Sequence, residues 1–296
     1  MTTWIDLSRR IVEGVPVFPG DPFFRSRPFA EHAVDGFYGS RLTIGSHLGT
    51  HIDAPFHYFV DGETLNDFPL DFFYGKAACL DLTGILPSYG DASFGRSVSI
   101  KVDDLYPFEQ IVKAVDFLFL RTNWASRFGR PEFYSNFPSL STEICDWLDD
   151  YANLRILGLE TPSLVSFPTN VEIESTSEPT TPKNPFDVEL NDLLPTEKKE
   201  YDEKFLVKEN EQPLDELDLC ADAECHRILL GRRPPILILE GLVGLDALPC
   251  FSRSDVQKNC VLFDNARAFD VACFPLPIVG LDGCPVRVAA RLDASV

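Results

Sequence analysis

The stretch Ser46-His-Leu-Gly-Thr-His-Ile-Asp-Ala-Pro-Phe-His57 places three histidines and an aspartate within twelve residues. The whole chain of 296 residues contains only five histidines. Successive side chains of an extended strand point to opposite faces, so His47, Gly49, His51 and Asp53 share one face if this strand runs straight. Gly49, between the two histidines, has no side chain that would obstruct a bound ion. Two imidazoles and a carboxylate are therefore expected to converge.

This set of side chains predicts a metal site with an open position. Two imidazole nitrogens and a carboxylate oxygen suit Zn²⁺, Mn²⁺ or Fe²⁺, and the absence of cysteine argues against a closed structural zinc. Pro55 ends the strand pattern because it cannot donate to a sheet ladder, so His57 is expected to approach the ion from the side without binding it. The alternative is that His47 and His51 only fill polar niches in a core.

Two residues far along the chain are candidates for a second metal. His226 follows the acidic part of the sequence, and Glu240 ends the apolar run Ile236 to Leu239. A carboxylate at the end of a buried strand is costly unless it is paired or bound to a metal. The alternatives, an exposed helical histidine and a strand-end carboxylate that reaches solvent, remain open. His32 lies in a polar setting without other potential ligands.

Composition restricts the possible partners. The net charge of −20 argues against nucleic acid and anionic membranes, because binding to polyanions needs clustered Lys and Arg. No segment approaches the roughly 18 apolar residues of a membrane span, and the eight cysteines form no Cys-x-x-Cys pair. We therefore expect a soluble cytoplasmic protein with reduced thiols and a small-molecule partner.

The order of the predicted elements indicates an α/β fold. Val115 to Arg121, Leu154 to Leu159 and Ile236 to Glu240 have the length and apolar character of buried strands. Between the first two, Ser141 is a candidate helix cap, and Ile144, Leu148 and Tyr151 fall on one face. We predict a single domain over residues 1–296, with a solvated insertion at about 171–216 that carries fourteen acidic residues against five lysines.

These motifs resemble a known family. His47-x-Gly-Thr-His-x-Asp-x-Pro-x-His57 is closely similar to the signature of the cyclase-like metal hydrolases, whose best-known members are the bacterial kynurenine formamidases. Further segments resemble this family in the same order, so that nearly the whole chain outside the insertion is covered. These are Pro16 to Pro22, Leu120 to Trp124, Gly158 to Leu164, Glu240 to Val243 and Gly280 to Arg287.

The resemblance implies a fold, a metal centre and an activity. The fold would be the swivelling β/β/α type, usually assembled as homodimers or homotetramers. One metal would be held by His47, His51 and Asp53, with Asp53 bridging to a second ion at His226 and Glu240. Both ions would be Zn²⁺ or Mn²⁺, and His57 would be the acid/base residue. The expected activity is hydrolysis of a carbon–nitrogen bond in a small aromatic amide, with N-formylkynurenine, from tryptophan catabolism, as the type substrate.

Several alternatives remain open for the substrate and the chemistry. Phe18, Phe23 and Tyr58 lie beside these motifs and could line an aromatic pocket, although core packing explains each of them as well. The resemblance alone suggests that Ser163 contacts substrate. Cys225 beside His226 offers a Cys/His metal pair or a thiol nucleophile as another interpretation. Relatives that are polyketide cyclases or isatin hydrolases offer a second chemistry for the same metals, and a non-catalytic scaffold is a third hypothesis.

Overall fold

A mixed ten-stranded sheet organises the part of the chain that the structure describes. The structure is a computed structural model and describes residues 2–18, 20–84, 98–166, 216–257 and 267–293. The strands are β1 Thr3–Asp6, β2 Arg25–Ala30, β3 Gly39–Thr43, β4 His51–Asp53, β5 Tyr74–Asp81, β6 Ser99–Ile100, β7 Phe117–Arg121, β8 Ser139–Leu140, β9 Ile156–Leu159, β10 Leu237–Glu240, β11 Cys250–Ser252, β12 Phe269–Ala272, β13 Gly283–Pro285 and β14 Ala289–Leu292. The α-helices are α1 His32–Asp35, α2 Val102–Leu105, α3 Glu109–Val112, α4 Thr142–Asp149, α5 Glu216–Gly231 and α6 Arg253–Gln257.

Four parallel strands form the centre of the large sheet, in the order β5, β7, β9 and β10. Antiparallel strands extend it on both sides: β12, β14 and β1 beyond β5, and β4 and β13 beyond β10. Strand β11 runs parallel to the second half of β5. The pairs β2–β3 and β6–β8 form two small separate sheets.

The three predicted strands form the buried middle of this sheet. All residues of β9 and β10 are buried, as are the first four residues of β7. Parallel strands covered on both faces have nearly continuous apolar sequences, and this is the pattern that predicted them. The mixed sheet with helices confirms the α/β fold class.

The predicted helix after Ser141 is α4. Its residues Ile144 and Leu148 are buried, and so is Tyr151 just after its end. Ser141 occupies the N-cap position, but its side chain makes no capping hydrogen bond. α4 packs against α5, which also contacts β10, so α5 holds the residues around His226 against the edge of the parallel strands.

The remaining expectations concern the chain as a whole. Apart from Glu216, the first residue of α5, the acidic segment at 171–216 lies outside the described residues, and the single-domain organisation over 1–296 stays a prediction. Within the described residues, no helix is long and apolar enough to cross a bilayer. Six cysteines of the described part are free thiols, and all but Cys250 are buried. The cytoplasmic location stays a prediction.

Candidate metal centre

The histidine-rich segment enters the sheet through a turn. β4 begins only at His51, and residues 46–50 form turns and bends. Gly49 lies in this stretch with a φ of 71°, in the left-handed region that glycine adopts without strain. Residues 47–53 therefore do not form one straight strand, yet His47, His51 and Asp53 still converge as predicted. His47 approaches from the turn, whereas His51 and Asp53 project from the strand.

Strand pairing brings the first carboxylates and imidazoles together. In the antiparallel pair of β4 and β10, Glu240 lies opposite His51, and Ile238 lies opposite Asp53. Directly opposed side chains of such a pair lie on the same face of the sheet. Oε2 of Glu240 is 3.4 Å from Nε2 of His51, and Oδ1 of Asp53 is 3.5 Å from that nitrogen. Two carboxylates therefore flank one imidazole nitrogen.

Helix α5 contributes the residue that is most distant in sequence from the opening motif. Nε2 of His226 lies 3.9 Å from Oδ2 of Asp53 and 3.8 Å from Oε1 of Glu240. The other oxygen of Asp53 faces His47, whose Nδ1 is 2.8 Å from Oδ1. Asp53 therefore lies between two groups of potential ligands. One group is His47, His51 and Asp53, and the other is Asp53, His226 and Glu240.

Backbone carbonyls orient two of the imidazoles. Nδ1 of His51 lies 3.1 Å from the carbonyl oxygen of Gly49, and Nδ1 of His226 lies 2.8 Å from the carbonyl oxygen of Asp222. Each Nδ1–H donates to its carbonyl, which leaves the Nε2 lone pair toward the carboxylates. Metal-binding histidines are typically held in this way by their second nitrogen.

Burial and an unsatisfied oxygen indicate that the group fits a divalent cation. His226 and Glu240 are only 2% and 3% exposed, which excludes the alternatives in which they reach solvent. Oε1 of Glu240 is buried and has no hydrogen-bond partner among the described residues. An anionic oxygen in this setting is costly unless a cation lies beside it. Imidazole nitrogens with carboxylate oxygens are the donor set that Zn²⁺ and Mn²⁺ accept.

The protonation equilibria reflect the same excess of negative charge. Burial lowers the pKa of His47, but the carboxylates of Asp53 and Asp282 outweigh it and raise the pKa to about 11. Burial also opposes protonation of His226, yet Asp222 and Glu240 raise its pKa to about 9. For Asp53, burial alone would raise the pKa, but the neighbouring imidazoles, above all His47, outweigh burial and hold the pKa below its ordinary value. Protons and divalent cations therefore compete for the same nitrogens.

His57 lies beside this group, and an aspartate from the end of the chain joins it. The rings of His57 and His47 are 4.1 Å apart between centroids. Oδ2 of Asp282 is 2.9 Å from Nε2 of His47 and 3.3 Å from Nδ1 of His57. Sequence reasoning missed Asp282. The segment from Gly280 to Arg287 resembles the family, and Asp282 is its only carboxylate. This was the signal in the sequence that could have identified Asp282.

A small cavity adjoins the two histidines of the motif. Phe18 lines it together with His47 and His51, and its ring packs edge-on against Tyr134. Its role in substrate binding stays a prediction. Arg9 also lines it and lies over the rings of Phe128 and Phe133, with its Cζ atom 4.3 and 4.6 Å from their centroids. Its guanidinium donates to the backbone carbonyl of Glu160 over 3.2 Å, and burial lowers its pKa to about 10.

The other predicted substrate residues lie in different settings. Tyr58 stacks on His226 with 4.6 Å between ring centroids, so it borders the centre. Phe23 is 41% exposed and does not line the cavity. The hydroxyl of Ser163 donates to Oδ1 of Asp222 over 3.0 Å and is buried. Their roles in substrate binding stay predictions.

Cys225 faces away from the potential ligands. It is fully buried in the hydrophobic core, where its thiol contacts that of Cys145 from α4. The groups of potential ligands found among the described residues do not include it. The structure therefore gives no support to a Cys225–His226 metal pair.

Comparison with known proteins supports the resemblance found in the sequence. A family model described as "Putative cyclase" matches residues 5–164, which is more than half of the chain. The chain belongs to this cyclase family. The match contains the histidine motif and the segment from Gly158 to Leu164, whereas His226, Glu240 and Asp282 lie beyond it.

Several known proteins are similar to this chain over nearly its whole length. A kynurenine formamidase from Geobacillus thermodenitrificans is 27% identical over 293 residues, which cover 98% of each chain. In fold, the chain is similar to isatin hydrolase A from Labrenzia aggregata, with a TM-score of 0.66, 18% identity and coverage of 98% of this chain and 94% of that one. A protein described as a predicted metal-dependent hydrolase from Bacillus stearothermophilus gives a TM-score of 0.55 at 19% identity, with 98% of both chains covered. The chain is a hydrolase of the cyclase family.

Proposed function

We propose that the protein is a metal-dependent hydrolase of the carbon–nitrogen bond in a small aromatic amide, with an aryl formamide such as N-formylkynurenine as its substrate. One observation carries the proposal. The carboxylate of Asp53 lies between His47 and His51 on one side and His226 and Glu240 on the other. A shared carboxylate between two sets of ligands is the arrangement that holds two divalent ions close together.

The side chains around such a centre have different roles. Bound Zn²⁺ or Mn²⁺ ions would lower the pKa of water and polarise the amide carbonyl. Asp53 and Glu240 supply two of the negative charges that hold the ions, and the carbonyls of Gly49 and Asp222 fix the imidazoles that face them. The buried sheet keeps these groups in place before substrate arrives, so that little reorganisation accompanies the reaction.

His57 is the residue that moves protons in this proposal. Its Nδ1 is 3.3 Å from Asp282 and donates to that carboxylate, so Nε2 is the nitrogen that exchanges the proton with water and substrate. As base, Nε2 accepts a proton from the attacking water; as acid, it returns that proton to the departing amide nitrogen. An imidazole suits both halves because its ordinary pKa is close to neutral pH.

The substrate class rests on a similar protein and on the aromatic side chains beside the centre. Phe18 lines the small cavity next to His47 and His51, and Tyr58 stacks on His226. The Geobacillus relative, 27% identical over nearly the whole chain, is a kynurenine formamidase. A formamide of an aromatic amine combines the ring with a small acyl group that reaches the metal centre.

A lactam is the second candidate substrate. The isatin hydrolase of Labrenzia aggregata has the same fold over 98% of this chain. Opening of a lactam ring and hydrolysis of a formamide use the same attack on an amide carbonyl, so one site could serve either. Cyclase chemistry would instead use the ions to stabilise an enolate, and a scaffold would require no ions at all.

One set of assays separates these possibilities. The purified protein is treated with a chelator, reloaded with Zn²⁺ or Mn²⁺, and assayed with N-formylkynurenine, isatin and simple aryl formamides. We expect formamide hydrolysis that disappears with the chelator and returns with the metal, with two ions per chain. Hydrolysis of isatin alone would favour the lactam, and a protein that takes up neither metal would contradict the proposal.

The proposal also covers the oligomeric state of the protein. A homodimer or homotetramer in the cytoplasm, with a small aromatic molecule as the sole partner, is what we expect of the native protein. Light scattering after size-exclusion chromatography measures the mass against the 33.2 kDa of one chain.

A further inference from the structure

Asp282 connects the two histidines to which different roles are assigned. One oxygen, Oδ2, lies 2.9 Å from Nε2 of His47 and 3.3 Å from Nδ1 of His57. The opposite nitrogen of His47, Nδ1, is 2.8 Å from Oδ1 of Asp53. The His47 ring therefore lies between the carboxylates of Asp53 and Asp282.

The backbone fixes the position of Asp282 relative to the centre. Strand β13 pairs with β4, with Gly283 opposite Asp53, and the amide of Ala54 donates to the carbonyl of Asp282 over 2.8 Å. Gly283 also allows the His47 ring to pack directly against the backbone of β13, because a Cβ atom at this position would be 2.7 Å from Cε1 of the imidazole. The carboxylate is thus held next to both rings by the same strand pair that holds Asp53.

We propose that Asp282 is a positioning residue that sets the tautomer of both His47 and His57. By accepting the Nε2–H of His47, it leaves Nδ1 with a lone pair directed to the ion beside Asp53. By accepting the Nδ1–H of His57, it leaves Nε2 to exchange the proton with substrate. The inference rests on the proposed function for the roles of the two histidines, but the hydrogen bonds themselves do not depend on it.

General chemistry supports a carboxylate in this place. Histidines that bind metals commonly donate their second N–H to a carboxylate, and loss of such a partner typically weakens metal binding by about 10–100-fold. A carboxylate on the far nitrogen of an acid/base imidazole fixes its orientation and stabilises its protonated form. Here one oxygen performs both tasks, so one substitution is expected to affect ion affinity and proton transfer together.

Two variants and a matched control test the inference. Asp282→Ala removes the acceptor, whereas Asp282→Asn keeps an oxygen of similar position without the charge. Asp6→Asn is the control, because Asp6 also accepts two hydrogen bonds, from the Ser8 amide and from Arg287, but lies outside the centre. Thermal unfolding of all three shows whether each variant folds.

The first readout is Zn²⁺ affinity, measured by competition with a chromophoric chelator. We expect Asp282→Ala to bind Zn²⁺ about 10–100-fold more weakly than the wild type, Asp282→Asn to recover part of the loss, and Asp6→Asn to match the wild type. The second readout is kcat with the metal saturated. It should fall in Asp282→Ala with little change in KM, and the fall should be much smaller when His57→Gln is already present.

The third readout does not require activity. Long-range ¹⁵N–¹H NMR of the imidazoles reports which nitrogen of each histidine carries the proton. In the wild type we expect the Nδ1–H form for His57, and a mixture of the two forms in Asp282→Ala. Wild-type tautomers, affinity and kcat in Asp282→Ala would overturn the inference. If the tautomers change but no amide is hydrolysed by the wild type, the proposed function fails and the orienting hydrogen bonds stand.

Discussion

His51 and Glu240 face each other across the antiparallel pair of β4 and β10, with 3.4 Å between Nε2 and Oε2. The pair joins the opening motif to a residue 189 positions later, since 240 − 51 = 189. Both side chains are buried, and neither strand alone contains the complete set of ligands. The candidate metal centre therefore depends on this strand pairing, together with the turn that carries His47 and the helix α5 that carries His226.

Glu240→Gln should weaken metal binding while the fold persists. The amide has the shape of the carboxylate but lacks the charge that Oε1, unsatisfied in the described structure, would direct at an ion. We expect Zn²⁺ affinity to fall by more than about tenfold, which corresponds to roughly 1.4 kcal/mol. Glu224→Gln, an exposed position on α5, is the control. Equal Zn²⁺ affinity in both variants, from chelator competition, would remove Glu240 from the ligand set.

His57→Gln should cost turnover and leave the metal in place. The residue contacts Asp282 and the His47 ring, and it lies outside the two groups that share Asp53. Loss of a positioned proton carrier typically lowers kcat by about 10²–10⁴-fold. His32→Gln, at an exposed histidine on α1, should keep wild-type activity. A metal-depleted His57→Gln protein, by elemental analysis, would show that His57 is a ligand instead.

The metal-free protein should lose stability as the pH rises. The pKa of His226 is raised from 6.5 to about 9, so the folded state binds the proton more tightly than the unfolded chain does. This contribution is fully present below about pH 6.5 and is lost as the pH rises through about 9. The unfolding temperature of chelator-treated protein should therefore fall across this range, and His226→Asn should flatten the fall. A wild-type profile that rises with pH would contradict the assignment.

Phe18→Ala should raise KM for aromatic amides. Phe18 lines the cavity beside His47 and His51, and burial of a phenylalanine side chain is worth about 1.5–3 kcal/mol, or roughly a ten- to hundredfold change in affinity. Phe29→Ala, at an exposed ring on the separate β2–β3 sheet, is the control. Steady-state kinetics with a formamide that lacks an aromatic ring complete the test, because Phe18→Ala should leave the KM for this substrate unchanged. An unchanged KM for the aromatic amide would assign Phe18 to packing.

The sequence predicted the elements whose signals are local. β7, β9 and β10 are apolar over nearly their whole length, because parallel strands covered on both faces need apolar residues at every position. The helix after Ser141 shows the 3.6-residue period through Ile144 and Leu148. The histidine spacing likewise indicated an ion-binding group, since chance seldom places so many imidazoles together.

What sequence reasoning missed depends on contacts between distant segments. The alternation rule placed His47 and His51 on one strand, but Gly49 turns the chain between them with its positive φ. Asp282 lies 235 residues after His47, and only the pairing of β13 with β4 shows that its carboxylate reaches the histidines. The hydrogen bond from the Ser163 hydroxyl to Asp222 likewise depends on the packing of α5, and the substrate contact of Ser163 stays a prediction.

The pairing of β4 with both β10 and β13 has a consequence for biosynthesis. β4 leaves the ribosome before its neighbours in the sheet, which are translated nearly two hundred residues or more later. The nascent polypeptide must therefore carry an unfinished cluster of imidazoles until β10 and β13 have emerged and paired with β4. Ion uptake by this protein would then report that these strand pairs have formed.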